Sequence, residues 1–358
     1  MTGNYSKKEI LIQHLMKREF YSGRSLFGND WAIFYYLLGG REAGKSYNIT
    51  NMFVNQFVKY GRPFYWLRLT DSSQKRLLQN NAEKLVDPDL RRKYKLDLVT
   101  NGTNVYHVTK RDSNGKIKEK KLMARVLALS TFYNDKGSGL FDKDFLLDPN
   151  MYYNICLDEM NREMNEKKTF DIVYAFVNQL ENLVRSTKNR IRVVCIGNTL
   201  EEASDILSAM NFLPEKFGRY YLKNKRTVIE YIAPNDAYKS RRKGTIADIL
   251  TPTASTFTNE VKVDNSLVYK GALRRPTNII MFDKEDSKKF TLWDGKILKQ
   301  YNNEKVPIIA MKPYIDQPYN IELVSNIISM YDSRYFLFRD LITCKQFKKE
   351  LQLLKPRK

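Results

Sequence analysis

The sequence predicts an α/β protein in two parts: a larger domain on a parallel sheet and, after it in the chain, a smaller α/β domain. Three observations predict this. The chain has 358 residues, 42% of them apolar, which is enough for roughly two domains. Short, nearly all-apolar runs that end in polar residues, such as "YYNICLDEM" and "RIRVVCIGNT", read as parallel strands covered on both faces. After about Pro234 the texture becomes small and polar, and strand patterns then return with turns at Asp286-Ser287 and Asp294-Gly295.

Taken in order, "SKKEILIQHLMKREF" has helical periodicity and a loop leads into a strand over Trp31–Leu38. A glycine-rich turn follows. The next segment places Ile49, Phe53, Phe57 and Val58 on one helical face and stops at Gly61, before the strand "PFYWLRL". Alternation on both sides of Asn114-Gly115 predicts a basic β-hairpin with a two-residue loop. "TFDIVYAFVNQLENLVRS" is helical, between the two apolar strands. The divisions expected are residues 1–233 for the first domain, 234–260 for a linker or small helical subdomain, and 261–358 for the second domain, with strands near Asn278–Asp283, Lys288–Trp293 and Lys296–Tyr301 and a helix from about Ile321.

Composition narrows the chemistry. No apolar run reaches the about 18 residues of a spanning helix, and the N-terminus has no signal-peptide pattern, so a protein made and kept in the cytoplasm, with no membrane partner, is expected. Three cysteines, two of them in apolar strands, imply no disulfide framework, and two histidines are too few for a histidine zinc site. The net charge is +21 and clustered: Lys59–Arg125 holds 17 basic and 7 acidic residues. Further basic excess falls in Lys216–Lys243 and Arg334–Lys358. Such clustering favours a polyanionic partner, nucleic acid above membrane.

The motif that carries chemistry is "GGREAGKS", Gly39, Gly40, Arg41, Glu42, Ala43, Gly44, Lys45 and Ser46, followed by Tyr47. It fits G-x-x-x-x-G-K-[ST] between a buried strand and an amphipathic helix, the P-loop context. Backbone N–H groups and the helix N-terminus would wrap the phosphates of ATP, Lys45 would reach the terminal phosphates and Ser46 would hold Mg²⁺. Asp158, ending the strand of "NICLDEM", is the expected Walker B partner for Mg²⁺, and Glu159 beside it can polarise water, as an ATPase requires. Charge on the γ-phosphate calls for a further cation: Arg41 within the loop, or Arg185 or Arg190 reaching a neighbouring subunit. Asn198, after "RVVCIG", sits where an amide could contact the γ-phosphate or the water. Lys116, Lys118, Lys120 and Lys121 of the hairpin, with Arg91, Arg92 and Lys93, are the candidates for contact with nucleic-acid phosphates.

These blocks, in this order, resemble the genome-packaging ATPases of phi29-type bacteriophages, relatives of the large terminases within the additional-strand, RecA-like P-loop ATPases. The carrying residues are "FYYLLGGREAGKSY", "VKYGRPFYWLRL", "YYNICLDEM", "LVRSTKNRIRVVCIGNT", "YKSRRKGTIADIL" and "DGKILKQYNN". The resemblance implies a homo-oligomeric ring, pentameric in the family, docked on the portal of a procapsid in the host cytoplasm, with a structural packaging RNA where the family has one. It implies ATP-driven movement of double-stranded DNA inward. It also implies a C-terminal domain like the RNase H-like nuclease of terminases. Here Asp283, Glu285, Asp286 and Asp294 read as turn chemistry rather than a two-metal cluster, so no nuclease activity is expected and the domain would bind nucleic acid or the portal. The rival readings are a helicase-like DNA-stimulated ATPase and a nucleotide-binding adaptor without turnover.

Overall fold

The structure is a computed structural model, and it describes residues 21, 23, 26–40, 42–135, 152–161, 170–184, 191–198, 204–214, 216–233, 240, 243–250, 266–314, 317 and 319–354. The chain divides into two compact units, Met1–Leu200 with Pro214–Lys262, and Glu201–Leu213 with Val263–Lys358. Among the described residues no helix is long and apolar enough to cross a membrane.

The first unit holds nine strands: β1 (Phe34–Leu38), β2 (Phe64–Arg68), β3 (Leu98–Asn101), β4 (Asn104–Arg111), β5 (Ile117–Ala128), β6 (Tyr153–Asp158), β7 (Ile191–Gly197), β8 (Gly218–Leu222) and β9 (Thr227–Tyr231). They form one sheet in the order β3-β4-β5-β2-β6-β7-β1-β9-β8. From β5 through β9 every neighbouring pair is parallel; β3 and β4 at one edge and β8 at the other run antiparallel. The parallel core follows from composition: every residue of β6 is buried, as a strand covered on both faces requires. Strand β7 lies between β1 and β6, so the two strands that end in the motifs are not hydrogen-bonded to each other.

Helix α1 (Lys45–Tyr60) follows β1 and buries Ile49, Phe53, Val54 and Phe57. Val54 takes the place expected for Val58, which is 48% exposed: counting by 3.6 from Phe53 and Phe57 leaves Val58 off the buried stripe. Phe53 meets Phe64 at 5.4 Å and Trp66 at 6.4 Å between ring centres, which fixes α1 on β2. Strand β1 starts later than the apolar run because Ala32 N–H turns back onto the Asn29 carbonyl. Two helices that the periodicity did not single out, α2 (Asp71–Ala82) and α3 (Pro88–Tyr94), connect β2 to β3, while α4 (Ile172–Val184) precedes β7.

The basic hairpin is real, with two differences. It extends the main sheet at the β2 side, and its loop has five residues, not two. The Asp112 carboxylate accepts from the N–H groups of Asn114 and Lys116, both 2.9 Å, which closes a longer turn with Gly115 at φ 77.

The second unit includes α5 (Asp205–Ala209), a five-strand sheet and two longer helices, α7 (Ile321–Asp332) and α8 (Leu341–Leu354); a short α6 (Ile246–Leu250) belongs to the first unit. Its strands are β10 (Pro276–Met281), β11 (Lys289–Trp293), β12 (Ile297–Gln300), β13 (Ile308–Ala310) and β14 (Leu337–Phe338), ordered β13-β10-β11-β12-β14. An antiparallel meander β10-β11-β12 carries β13 parallel to β10, and β14 lies parallel to β12 at the other edge. Phe347 of α8 is fully buried and touches the rings of Phe282, Phe290, Tyr331, Phe336 and Phe338. The basic tail is thus, up to Leu354, a helix that packs Phe347 and Leu351 into this core.

Candidate nucleotide site

The glycine-rich turn leaves β1 at Leu38 and enters α1 at Lys45. Glu42 and Gly44 both have positive φ, 62 and 83, so the chain curls before the helix begins. Gly44 is the N-cap and offers no side chain to the first N–H groups of α1, and no acidic residue stands in its first turn. Those donors and the helix dipole are left for an anion. Gly39 is needed for a different reason: a Cβ there would meet Ile232 at 3.1 Å. Lys45 is only 5% exposed, and its ammonium donates to the carbonyls of Gly39 and Gly40 at 2.9 and 2.6 Å.

Across β7, the end of β6 presents two carboxylates. Ser46 Oγ donates to Asp158 Oδ1 at 3.1 Å, which joins the start of α1 to the end of β6 over 112 residues of chain. A hydroxyl beside a carboxylate, both hard oxygen ligands, suits magnesium, which takes few protein ligands and keeps its other positions for water and phosphate. Glu159 follows in the left-handed region, φ 57, an uncommon backbone for a non-glycine residue. Its side chain is 56% exposed, whereas that of Asp158 is 11% exposed.

Arg68, the last residue of β2, holds both acids. Its guanidinium donates to Asp158 Oδ2 at 2.9 Å and to Glu159 Oε2. The sequence reading missed this residue, because its partners lie 90 and 91 positions away. The one local signal was a cation closing an apolar strand.

A cleft of about 950 Å³ joins these parts, and Glu42, Ala43, Gly44, Lys45, Ser46, Tyr47, Asp158, Glu159 and Asn198 all line it. Sequence reasoning named each of these. It did not name Arg68, Arg76, Lys84 or Asn161, which line the cleft as well. Arg41, Arg185 and Arg190 lie outside the described residues. The two thiols nearest the site are buried and held well above the usual thiol range by desolvation, which removes them from nucleophilic chemistry.

Residues 15–273 match the sequence profile of the Podovirus DNA encapsidation protein (Gp16) family. The chain belongs to that family. It is 22% identical, over 70% of its length and 67% of theirs, to the DNA packaging proteins of Bacillus phage PZA and Bacillus phage phi29. Two solved structures share the fold across nearly the whole chain. A chain of the Phi-28 gp11 DNA packaging motor superposes with a TM-score of 0.60 at 13% identity, covering 95% of this chain and 99% of that one. One of the bacteriophage Phi-29 viral genome packaging motor assembly gives 0.62 at 16%, covering 94% and 100%.

The basic candidates of this Gp16-family chain differ in how occupied they are. Arg91 donates to the carbonyls of Val86 and Asn81, Arg92 pairs with Asp89, and Lys93 donates to Asn51 at 3.0 Å and lies over the Tyr94 ring. The hairpin lysines are all exposed; Lys120 lies 4.3 Å from the centre of the Tyr106 ring, and Lys116, Lys118 and Lys121 have no ion pair among the described residues. Availability therefore favours the hairpin over α3.

Proposed function

We propose that this chain is the motor subunit that moves double-stranded viral DNA into a procapsid, driven by hydrolysis of ATP to ADP and phosphate. The observation that carries the reading is the 3.1 Å contact of Ser46 with Asp158, which joins the glycine-rich turn to the end of β6 at a cleft that Glu159 also lines. Family membership supplies the DNA-packaging context.

Residue by residue, the backbone N–H groups at Gly44–Ser46 bind the phosphate oxygens, and Lys45 leaves the loop carbonyls to meet the terminal phosphates. Ser46 and Asp158 would hold Mg²⁺, which supplies charge neutralisation at those oxygens. Glu159 accepts a proton from the attacking water. Arg68 keeps Glu159 from that task as long as it holds the carboxylate, so the pair is a natural point of control. Arg185 or Arg190 from a neighbouring subunit is the proposed stabiliser of the transferring phosphoryl group, and Asn198 the contact to it within the subunit. The assembly would be a ring, a pentamer, docked on the portal in the host cytoplasm with a packaging RNA. The hairpin lysines would grip DNA phosphates without reading bases.

The test is ATP turnover with and without duplex DNA, alongside oligomer mass, in the presence and absence of portal and RNA. The expected result is DNA-stimulated turnover by an oligomer, lost in Lys45→Ala. A monomer with DNA-indifferent turnover under all these conditions overturns the motor reading. Strand displacement would move it to a helicase.

A further inference from the structure

Two cations in the cleft have no part in the scheme above. Arg76 on α2 and Lys84 just beyond it are exposed side chains that line the cleft, and neither has an ion pair or hydrogen bond among the described residues. Their neighbours differ: Lys75 pairs with Asp71 at 2.7 Å, and Arg91 is committed to backbone carbonyls.

The backbone between the two is unusual. Helix α2 loses its helical geometry at Gln79 (ψ 151), and Asn80, Asn81 and Ala82 follow with φ of 50, 56 and 64. Three consecutive non-glycine residues in the left-handed region, one of them a fully buried alanine, form a conformation that L-residues rarely accept. Arg91 holds the reversal in place with a 2.8 Å bond to the Asn81 carbonyl. Had the helix run on, Lys84 would stand about 12 Å beyond Arg76 along the axis. The reversal returns it to the same cleft.

Strand order places this pair relative to the phosphate loop and the carboxylates. The phosphate loop follows β1, the carboxylates end β6, and Arg76 and Lys84 follow β2, on the far side of β6 from β1. They therefore follow the strand on the Glu159 side of the cleft, the side of the residue read as polarising the attacking water. In an in-line displacement the water oxygen bonds to the γ-phosphorus as the bond to the bridging oxygen breaks, the water proton passes to Glu159, and orthophosphate separates from ADP toward that side.

We propose that Arg76 and Lys84 form a second anion site in this cleft, which takes the orthophosphate product as it separates from ADP. This rests on the ATPase reading, and the experiment separates the two. Inorganic phosphate is titrated into the ADP-loaded full-length protein and followed by phosphorus NMR, with ADP affinity measured in parallel. In Arg76→Ala/Lys84→Ala, phosphate affinity should fall by about tenfold, the loss falling on phosphate rather than ADP, and the charge-preserving Arg76→Lys/Lys84→Arg exchange should restore it. Phosphate binding unchanged in the alanine variant overturns the site. So does an equal loss of ADP and phosphate, which would assign the pair to the nucleotide itself. If duplex DNA loses affinity and phosphate does not, the pair is a backbone contact and the proposal falls. Failure of the unaltered protein to bind ADP would overturn the nucleotide reading, and this site with it; ADP binding without phosphate binding overturns this site alone.

Discussion

Both units carry acidic residues at strand ends, and among the described residues the two sets differ in the partners that reach them. In the first unit, Asp158 and Glu159 end β6 beside a hydroxyl, a guanidinium and a cleft that admits a ligand. In the second, Asp283, Glu285 and Asp286 are taken up by lysines close in sequence and Asp294 by backbone N–H groups just before β10. Lys288 lies 3.6 Å from Asp283 and 3.5 Å from Glu285, Lys289 bonds Asp286 at 2.7 Å, and Asp294 accepts from the backbone N–H groups of Arg274 and Arg275. Among the described residues no group of three or more acidic, histidine or cysteine residues could hold a metal ion. Partners 90 or more positions away gather around Asp158 and Glu159, whereas Asp283, Glu285 and Asp286 are met by lysines three to five residues away.

The largest effect that would break this contrast is at Glu159. Glu159→Gln should lower ATP turnover by about 10²- to 10⁴-fold while leaving nucleotide binding in place, read by phosphate release and by a fluorescent nucleotide. Retained turnover would remove the special status of the first unit's acids. Next, Phe347→Ala should cost about 3–5 kcal/mol, because it empties the centre of five aromatic contacts in the second unit. Calorimetry should show that unit's transition lowered, with nucleotide binding persisting. Arg68→Gln sharpens the comparison: Asp158 loses a competing cation, so the magnesium concentration for half-maximal nucleotide binding should fall, by about tenfold or less. A rise would mean that the guanidinium aligns the acid instead of competing for it. Smallest of all, Asp286→Asn should change stability by no more than about 0.5 kcal/mol. It should neither create nor abolish DNA cleavage in magnesium or manganese.

What the sequence made legible is what is local. The phosphate loop, its helix and the strand ending in Asp158 each carry their signal within a dozen residues. The hairpin was readable from Asn114-Gly115, although the carboxylate that lengthens its loop, Asp112, stood two residues outside the dipeptide that drew attention. Arg68, Arg76 and Lys84 were not readable as a set, since strand order and the backbone reversal after Gln79 bring them to the cleft. The β8–β9 pair was passed over as well: its strands have five residues each, and β9 lies buried beside β1 where β8 at the edge is half exposed, so no single periodicity spans both.

The strand inserted between β1 and β6 has a consequence for what the first unit can admit. Two lateral steps of about 4.8 Å separate the axes of those strands, so the chain leaves β1 for the phosphate loop roughly 10 Å from where β6 ends in Asp158. That interval is about the width of a phosphoryl group with one solvent molecule behind it. The sheet is thus a ruler that sets the root of the phosphate loop and the carboxylate-bearing strand end a substrate's breadth apart.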